Sequence, residues 1–336
     1  MLKSLQLLSY ISGLAKAGCG SIQPGILAGR KGSYRIARYL SGKKKSPAIL
    51  LLNGMNIRGI DDPRIIDIAK AFCAAGFDVI TGEIDDIKKL KIEISTIEKI
   101  AELISLVQDS QDGDDISFLS VSFSGGLGLV AMEQMDNCRI GNVMLLGTYA
   151  DFASTIPYVV RNYDRDNYGA SVFFYNYINR VFPDSSLPEV FYAQAVDNSL
   201  KRYESNSVKA GMVSALGSKD REIFDKLDNS GDYRREIVRE ILDVSENDEI
   251  RQLSPVYQMK YSSTRFALVH GNDDPVISPS ESIALSERMN FLGIDNRLEI
   301  TGMFSHGDKK SIIKELPEIP GMIKIFSYFM EKIDFS

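Results

Sequence analysis

Asp115-Ile116-Ser117-Phe118-Leu119-Ser120-Val121-Ser122-Phe123-Ser124-Gly125-Gly126-Leu127-Gly128 is the stretch on which the fold turns. It opens on an apolar run too short for a helix and rich in β-formers, the pattern of a buried strand. It then turns through small residues into Leu129-Val130-Ala131-Met132, which reads as the first turns of a helix. A serine at so tight a strand-to-helix turn holds its hydroxyl out at the top of the sheet. The next backbone N–H and the helix N-terminus both point at it. The turn imposes an unfavourable backbone conformation and needs small residues two before and two after the serine. Ser120 and Ser124 flank Ser122 at those distances, and Gly125-Gly126 let helix and strand approach. Ser122 is thus a candidate nucleophile at a candidate elbow, with serines in place of both glycines of G-x-S-x-G. A second register centres Ser124 between Ser122 and Gly126. Ser122 is preferred because it directly follows the strand and precedes bulky Phe123. A Ser/Gly-rich turn without chemistry is the alternative that the rest of the chain must decide.

Strands and helices alternate on both sides of this stretch. Upstream, Ser33–Leu40 alternates like a half-exposed strand, and Ala48-Ile49-Leu50-Leu51-Leu52 is a continuous apolar run, as in a strand covered on both faces. The run ends in the loop Asn53-Gly54-Met55-Asn56. Asp62-Pro63 starts a helix that reaches Ala75, with Gly76 suited to the left-handed position after it. Residues 77–80 form a strand and 92–107 a helix; downstream, 143–147 is a further strand. The rhythm breaks at Tyr149 and returns with the strand Arg265–His270. Ser278-Pro279-Ser280-Glu281 then has the form of a capping box opening a helix to Gly293, and Arg297–Ile300 is the last strand. Such alternation implies a parallel sheet covered on both faces.

Residues 149–256 carry Tyr158, Tyr163, Tyr168, Phe173, Phe174, Tyr175, Tyr177, Phe182, Phe191 and Tyr192, then charged helical text from Asp220 to Val244. This reads as a mainly helical insertion over the sheet. Its aromatics form either its own core or the lining of an apolar pocket. Three units are expected: residues 1–45 as an N-terminal helix and first strand, 46–148 with 257–336 as the α/β core, and 149–256 as a cap.

At 336 residues, 44% apolar and 25% charged, the chain has the composition of a soluble globular protein. A net charge of −6 argues against a nucleic-acid partner, whose footprint is basic. Cys19, Cys73 and Cys138 lack metal-ligand spacing, and Cys73 in Ala-Phe-Cys-Ala-Ala reads as a small core residue. With two histidines and no Cys/His cluster, a zinc site is not expected. In residues 1–20, Leu2, Leu5, Leu8, Ile11 and Leu14 recur every third residue, suggesting one helix face. That segment reads as a helix on the domain or in weak contact with a membrane surface. Ala15-Lys16-Ala17 gives the competing form of an export signal. The location expected is cytoplasmic, with export or membrane association through residues 1–20 as the alternative.

A serine hydroxyl needs a base to take its proton and a carboxylate to hold that base. Of the two histidines, His306 lies in the loop after the last strand and is favoured over His270, which ends a strand before Gly271. Asp274 is the candidate acid, with Asp273 the near competitor and Asp151 a distant one that would pair with His270. Ser122, Asp274 and His306 then fall in the order Ser…Asp…His, each on a loop at one sheet edge. The N–H of Phe123 and that of Met55 or Asn56 are the candidate oxyanion donors.

On these residues the chain resembles the α/β-hydrolase superfamily, over about residues 46–150 and 255–335. The resemblance rests on Asn53-Gly54-Met55, on Ser122-Phe123-Ser124-Gly125-Gly126, on His270-Gly271-Asn272-Asp273-Asp274-Pro275-Val276 and on Ser305-His306. The H-G-x-x-D-x-V form is the most specific and favours Asp274. Asn53 where histidine is common, and serines for glycines at the elbow, are departures. The resemblance implies the α/β-hydrolase fold, a mostly parallel sheet with helices on both faces and a helical cap after the sixth strand. It implies a Ser-His-Asp mechanism without metal or organic cofactor, and the reading that follows is a serine hydrolase acting on a small-molecule carboxylic ester. Acyl transfer or thioester cleavage would use the same residues, and a catalytically silent binding protein on the same fold is the rival of another class.

Overall fold

The computed structural model describes residues 2–111, 114–200, 207–245, 247–305, 308–309, 316–331 and 333. One sheet carries β1 (Ser21–Ala28), β2 (Ser33–Leu40), β3 (Ala48–Leu52), β4 (Asp78–Gly82), β5 (Ile116–Val121), β6 (Ile140–Leu146), β7 (Arg265–Gly271) and β8 (Asn296–Thr301). Their order is β1-β2-β4-β3-β5-β6-β7-β8. β1 and β2 pair antiparallel, β2 is antiparallel to β4, and every later pairing is parallel. β1 is an edge strand and mostly exposed, which is where Pro24, lacking an N–H, can be accommodated. The central strands are the apolar runs: every residue of β3 is buried.

Alternate residues of the central strands serve two separate cores. Leu119, Met144, Ala267 and Val269 face one side, beneath α1 (Leu2–Ile11), α2 (Pro63–Ala74) and α15 (Ile319–Met330). Phe118, Val143, Leu145 and Leu268 face the other side. There they meet α4 (Ile94–Asp109), α5 (Phe123–Glu133) and α14 (Pro279–Phe291); the short α3 (Asp85–Lys88) precedes α4. β3 has β4 on one side and β5 on the other, so strand order reverses between β3 and β5. In open α/β sheets the crevice beyond such a switch point is where ligands bind, and both the 53–56 loop and Ser122 emerge there.

Local chemistry explains the boundaries of α2. Asp62 accepts from Arg64 N, Pro63 holds the first position, and Gly76 takes φ 102° after the last turn. Gly76 N donates to Cys73 O at 2.9 Å and Phe77 N to Phe72 O at 3.2 Å, the paired bonds of a Schellman ending.

Four expectations need correction. The elbow helix begins at Phe123, not Leu129, so Gly125 and Gly126 lie inside its first turns. In α1 the buried residues are Ser4, Leu7, Leu8 and Ile11, whereas Leu2, Leu5 and Leu14 are exposed. A period of three drifts off a helix whose true period is 3.6, so only part of the expected stripe faces inward. Cys73 is not a free core thiol: it forms a disulfide with Cys19 across 54 residues of sequence. Glu281 does not close a capping box with Ser278. It is buried and accepts from Ala150 N and Asp151 N, both at 3.0 Å, fastening the start of the insertion to α14.

Between β6 and β7 the described residues form helices only. These are α6 (Phe152–Arg161), α7 (Tyr168–Tyr177), α8 (Leu187–Leu200), α9 (Lys209–Ala215), α10 (Ser218–Asn229), α11 (Gly231–Val244), α12 (Asn247–Gln252) and α13 (Pro255–Gln258). The charged text from Asp220 to Val244 is two helices, broken at Ser230, whose hydroxyl caps α11. The aromatics pack mainly on one another, with Phe174 and Phe191 ring centroids 4.9 Å apart and Phe173 and Tyr177 5.2 Å apart. Of the ten singled out in the sequence, Tyr168 alone lines the main cavity; the cluster is the insertion's own core.

Candidate active site

The chain leaves β5 at Val121 and enters α5 at Phe123, leaving Ser122 as the single residue of the turn, at φ 60° and ψ −139°. Leu90 is the only other non-glycine residue with positive φ among those described. Such a conformation costs on the order of 1–3 kcal/mol and persists where its surroundings enforce it. Here Ser122 N donates to Leu146 O at 2.8 Å, and Gly125 N donates back to Ser122 O at 3.0 Å. The two glycines of α5 make room for the segment that leaves β6. A Cβ on Gly126 would stand 2.3 Å from the Tyr149 ring, and one on Gly125 would stand 2.6 Å from Thr148 Oγ1. Ser124 lies in the first turn of α5, fully buried, and its Oγ has no hydrogen-bond partner among the described residues.

The loop after β3 runs against this turn. A Cβ on Gly54 would stand 3.1 Å from Val121 O and 3.2 Å from Ser122 Cβ, so glycine lets the loop backbone approach the elbow. Met55 O accepts from Tyr168 OH at 2.5 Å, and Asn56 Nδ2 donates to Asp62 Oδ2 at 2.7 Å. Asp62 also accepts from Arg64 Nε at 3.0 Å and Nη2 at 2.9 Å. Burial pushes the Asp62 carboxyl upward, but the bonds and charge of Arg64 outweigh it and hold the group below the ordinary carboxylate range. The loop carrying Met55 is therefore fixed from below by an ion pair at the head of α2 and from above by α7. Phe123 stacks its ring on Tyr149 at 4.8 Å. As the first residue of α5 its N–H has no carbonyl within the helix to bond.

Asp274 is 1% exposed, and its Oδ1 accepts from Val276 N at 2.8 Å and Ile277 N at 3.0 Å. Its carbonyl oxygen accepts from Tyr158 OH at 2.6 Å. The neighbouring Asp273 is 41% exposed at its side chain and turns outward to Arg165 at 3.5 Å. Asp151 caps α6, accepting from Ala153 N at 2.9 Å, and receives Tyr257 OH at 2.9 Å. His270 is buried between Ser282 Oγ at 2.6 Å from Nδ1 and Ile277 O at 2.9 Å from Nε2, with Asp274 Oδ2 3.6 Å from Nε2. A carbonyl only accepts, so Nε2 donates to Ile277 O. That role is structural, and its suggested pairing with Asp151 is not found. His306 lies outside the described residues.

Ser122, Asp274, Gly54, Met55 and Asn56 share the wall of one cavity of about 410 Å³. Phe123 is not part of that wall. Tyr168, one of the aromatics expected either in the insertion's core or in a pocket lining, is on this wall too, as are Arg64, Asn198 and Ser199, which nothing in the sequence singled out. The Asp62-Pro63 cap gave a signal for a helix start but none for the Arg64 pairing, and the two α8 residues gave none. Among the described residues no group of three or more His, Cys, Asp or Glu side chains could hold a metal ion.

This sheet order, elbow and helical covering are those of the α/β-hydrolase fold, and the chain has that fold. No family model and no curated protein matches the sequence. Among solved structures it is similar to the acylaminoacyl peptidase of Pyrococcus horikoshii, with TM-score 0.56 and 13% identity over 94% of this chain and 42% of that one. It thus spans less than half of that peptidase. It is similar also to Thermogutta terrifontis esterase 2, with TM-score 0.55 and 10% identity over 95% of this chain and 97% of that one. A Pyrococcus furiosus esterase gives TM-score 0.51 and 10% identity over 92% and 91%.

Proposed function

We propose that the protein is a serine hydrolase that cleaves a small-molecule carboxylic ester. The observation that carries this reading is Ser122 held at positive φ on the wall of a cavity that also contains buried Asp274. A fold maintains such a conformation at a cost, and projecting the hydroxyl is the gain it offers. Ser122 Oγ attacks the ester carbonyl carbon and gives its proton to His306. The N–H groups of Phe123 and Met55 hold the developing oxyanion. The carbon–oxygen bond to the alcohol then breaks, and the alcohol leaves with the proton from His306. Water, deprotonated by His306, attacks the acyl-enzyme; acid is released and the proton returns to Ser122. Asp274 orients the imidazole, and its Oδ1 bonds to Val276 and Ile277 fix its own position.

Ser122→Ala should abolish hydrolysis of p-nitrophenyl acetate while leaving the far-UV circular dichroism unchanged, and Ser124→Ala should retain turnover. Activity that survives the first change and vanishes with the second would assign the chemistry to Ser124. The Cys19–Cys73 disulfide supports an oxidising compartment, and therefore the exported or membrane-associated alternative over the cytoplasmic one. Alkylation of the protein as isolated from its source, with both thiols blocked only after reduction, would support this. Both thiols free at once would return it to the cytoplasm. Among the described residues no helix is long and apolar enough to cross a membrane.

A further inference from the structure

From Ser122 the cavity does not stay on the carboxyl edge of the sheet. Val121, Met144, Leu146 and Val269 line it, and all four belong to the face covered by α1, α2 and α15. Opposite them stand Phe72 of α2, Phe326 of α15 and Ile11, the last residue of α1. Along α2 the lining residues are Arg64, Ile65, Asp67, Ile68 and Phe72; Ile65, Ile68 and Phe72 form an apolar stripe running down the helix, and Asp67 lies on its exposed flank. From Ile65 to Phe72 that stripe descends about 10 Å at the helical rise. The cavity thus has charged and amide groups near the head of α2, the Asp67 carboxylate on its exposed flank, and an apolar arm between the sheet, Phe72 and Phe326.

Interiors pack with few voids, and an apolar space between large side chains destabilises a fold unless something fills it. This arm opens onto Ser122, so its natural occupant is the part of the substrate attached there. Its outer wall is firmly held: Ser4 Oγ bonds Ser327 Oγ at 2.7 Å, and the disulfide ties the segment after α1 to Cys73, the neighbour of Phe72.

We propose that this arm takes the straight, saturated acyl chain of the substrate, with the carbonyl at Ser122 and Ile11 of the N-terminal helix closing its side. The proposal rests on the serine-hydrolase reading and names its substrate class: esters of linear fatty acids. The stripe length of about 10 Å corresponds to roughly eight methylenes at about 1.25 Å each.

The test uses the full chain, p-nitrophenyl esters from acetate to laurate, and calorimetric titration with sodium octanoate and sodium acetate. kcat/KM should rise about fourfold per added methylene, the factor given by burying one CH₂, and level off near octanoate or decanoate. Ile11→Trp, which intrudes on the arm, should reduce octanoate-ester turnover at least tenfold more than acetate-ester turnover. Octanoate should bind the wild type and acetate should not. Flat or falling kcat/KM from acetate to octanoate, with no octanoate binding, would overturn the proposal. Octanoate binding that Ile11→Trp weakens, in a protein that hydrolyses no ester, would keep the chain site and remove the serine reading instead. If Ile11→Trp does not fold, the wild-type chain-length series and the octanoate titration decide.

Discussion

At the scale of single residues, the two adjacent acids of the β7 loop sit in opposite environments. Asp274 is buried, with Oδ1 fixed by two backbone N–H groups, whereas Asp273 faces outward to Arg165. Asp274→Asn keeps an oxygen for the two N–H bonds but removes the negative charge that would favour an imidazolium. It should lower kcat about a thousandfold or more with little change in KM. Asp273→Asn should change kcat less than about twofold, since exposed ion pairs contribute little. Steady-state kinetics of both variants decide between the two positions. The buried turn position of Asp274 was legible from the H-G-x-x-D-x-V spacing, because that spacing is itself the turn that puts Val276 N and Ile277 N on Oδ1. The Arg64–Asp62–Asn56 network was not legible. Asp62 satisfies a helix-cap pattern on its own, and nothing in the sequence adds that its second oxygen meets Asn56.

At the scale of elements, the strands were the most legible part, because β3 and β5 are short apolar runs that a sheet covered on both faces requires. The start of α5 was misread since its first turns contain glycines, poor helix formers in isolation. They are placed there by packing. Gly126→Ala would drive a methyl group into the Tyr149 ring, 2.3 Å from an ideal Cβ. The change should destabilise the protein by about 1–3 kcal/mol and reduce turnover by displacing Ser122, as read by urea midpoint and kcat. Unchanged stability would mean that α5 has room to shift. The link between Cys19 and Cys73 was invisible for another reason: two cysteines 54 residues apart carry no local pattern. In the chain-entropy limit, closing a loop of that length is worth about 4 kcal/mol. Reducing it should lower the denaturation midpoint, and an identical midpoint with and without reductant would contradict a structural role.

At the scale of the whole molecule, the candidate site lies where the helices between β6 and β7 meet the sheet. Tyr168 and Tyr158 reach from those helices to the carbonyls of Met55 and Asp274, and Glu281 of α14 holds the first residues of the insertion. Alternation of strands and helices announced the core, and its interruption announced the insertion. Which insertion side chains enter the cavity was beyond the sequence, since that depends on how α7 and α8 pack rather than on their composition. Tyr168→Phe removes one hydrogen bond, worth about 1 kcal/mol, from the loop that offers the Met55 N–H. kcat/KM should fall about fivefold with the fold intact, and a value equal to that of the wild type would show that the insertion leaves the loop's position unaffected.

The most direct measurement is reaction of the intact protein with a fluorophosphonate probe, followed by peptide mass spectrometry to locate the adduct. The expected result is a single adduct on Ser122 that is lost in His306→Ala and in Ser122→Ala. An adduct on another serine, or none in a folded sample that binds octanoate, would contradict Ser122 as the nucleophile.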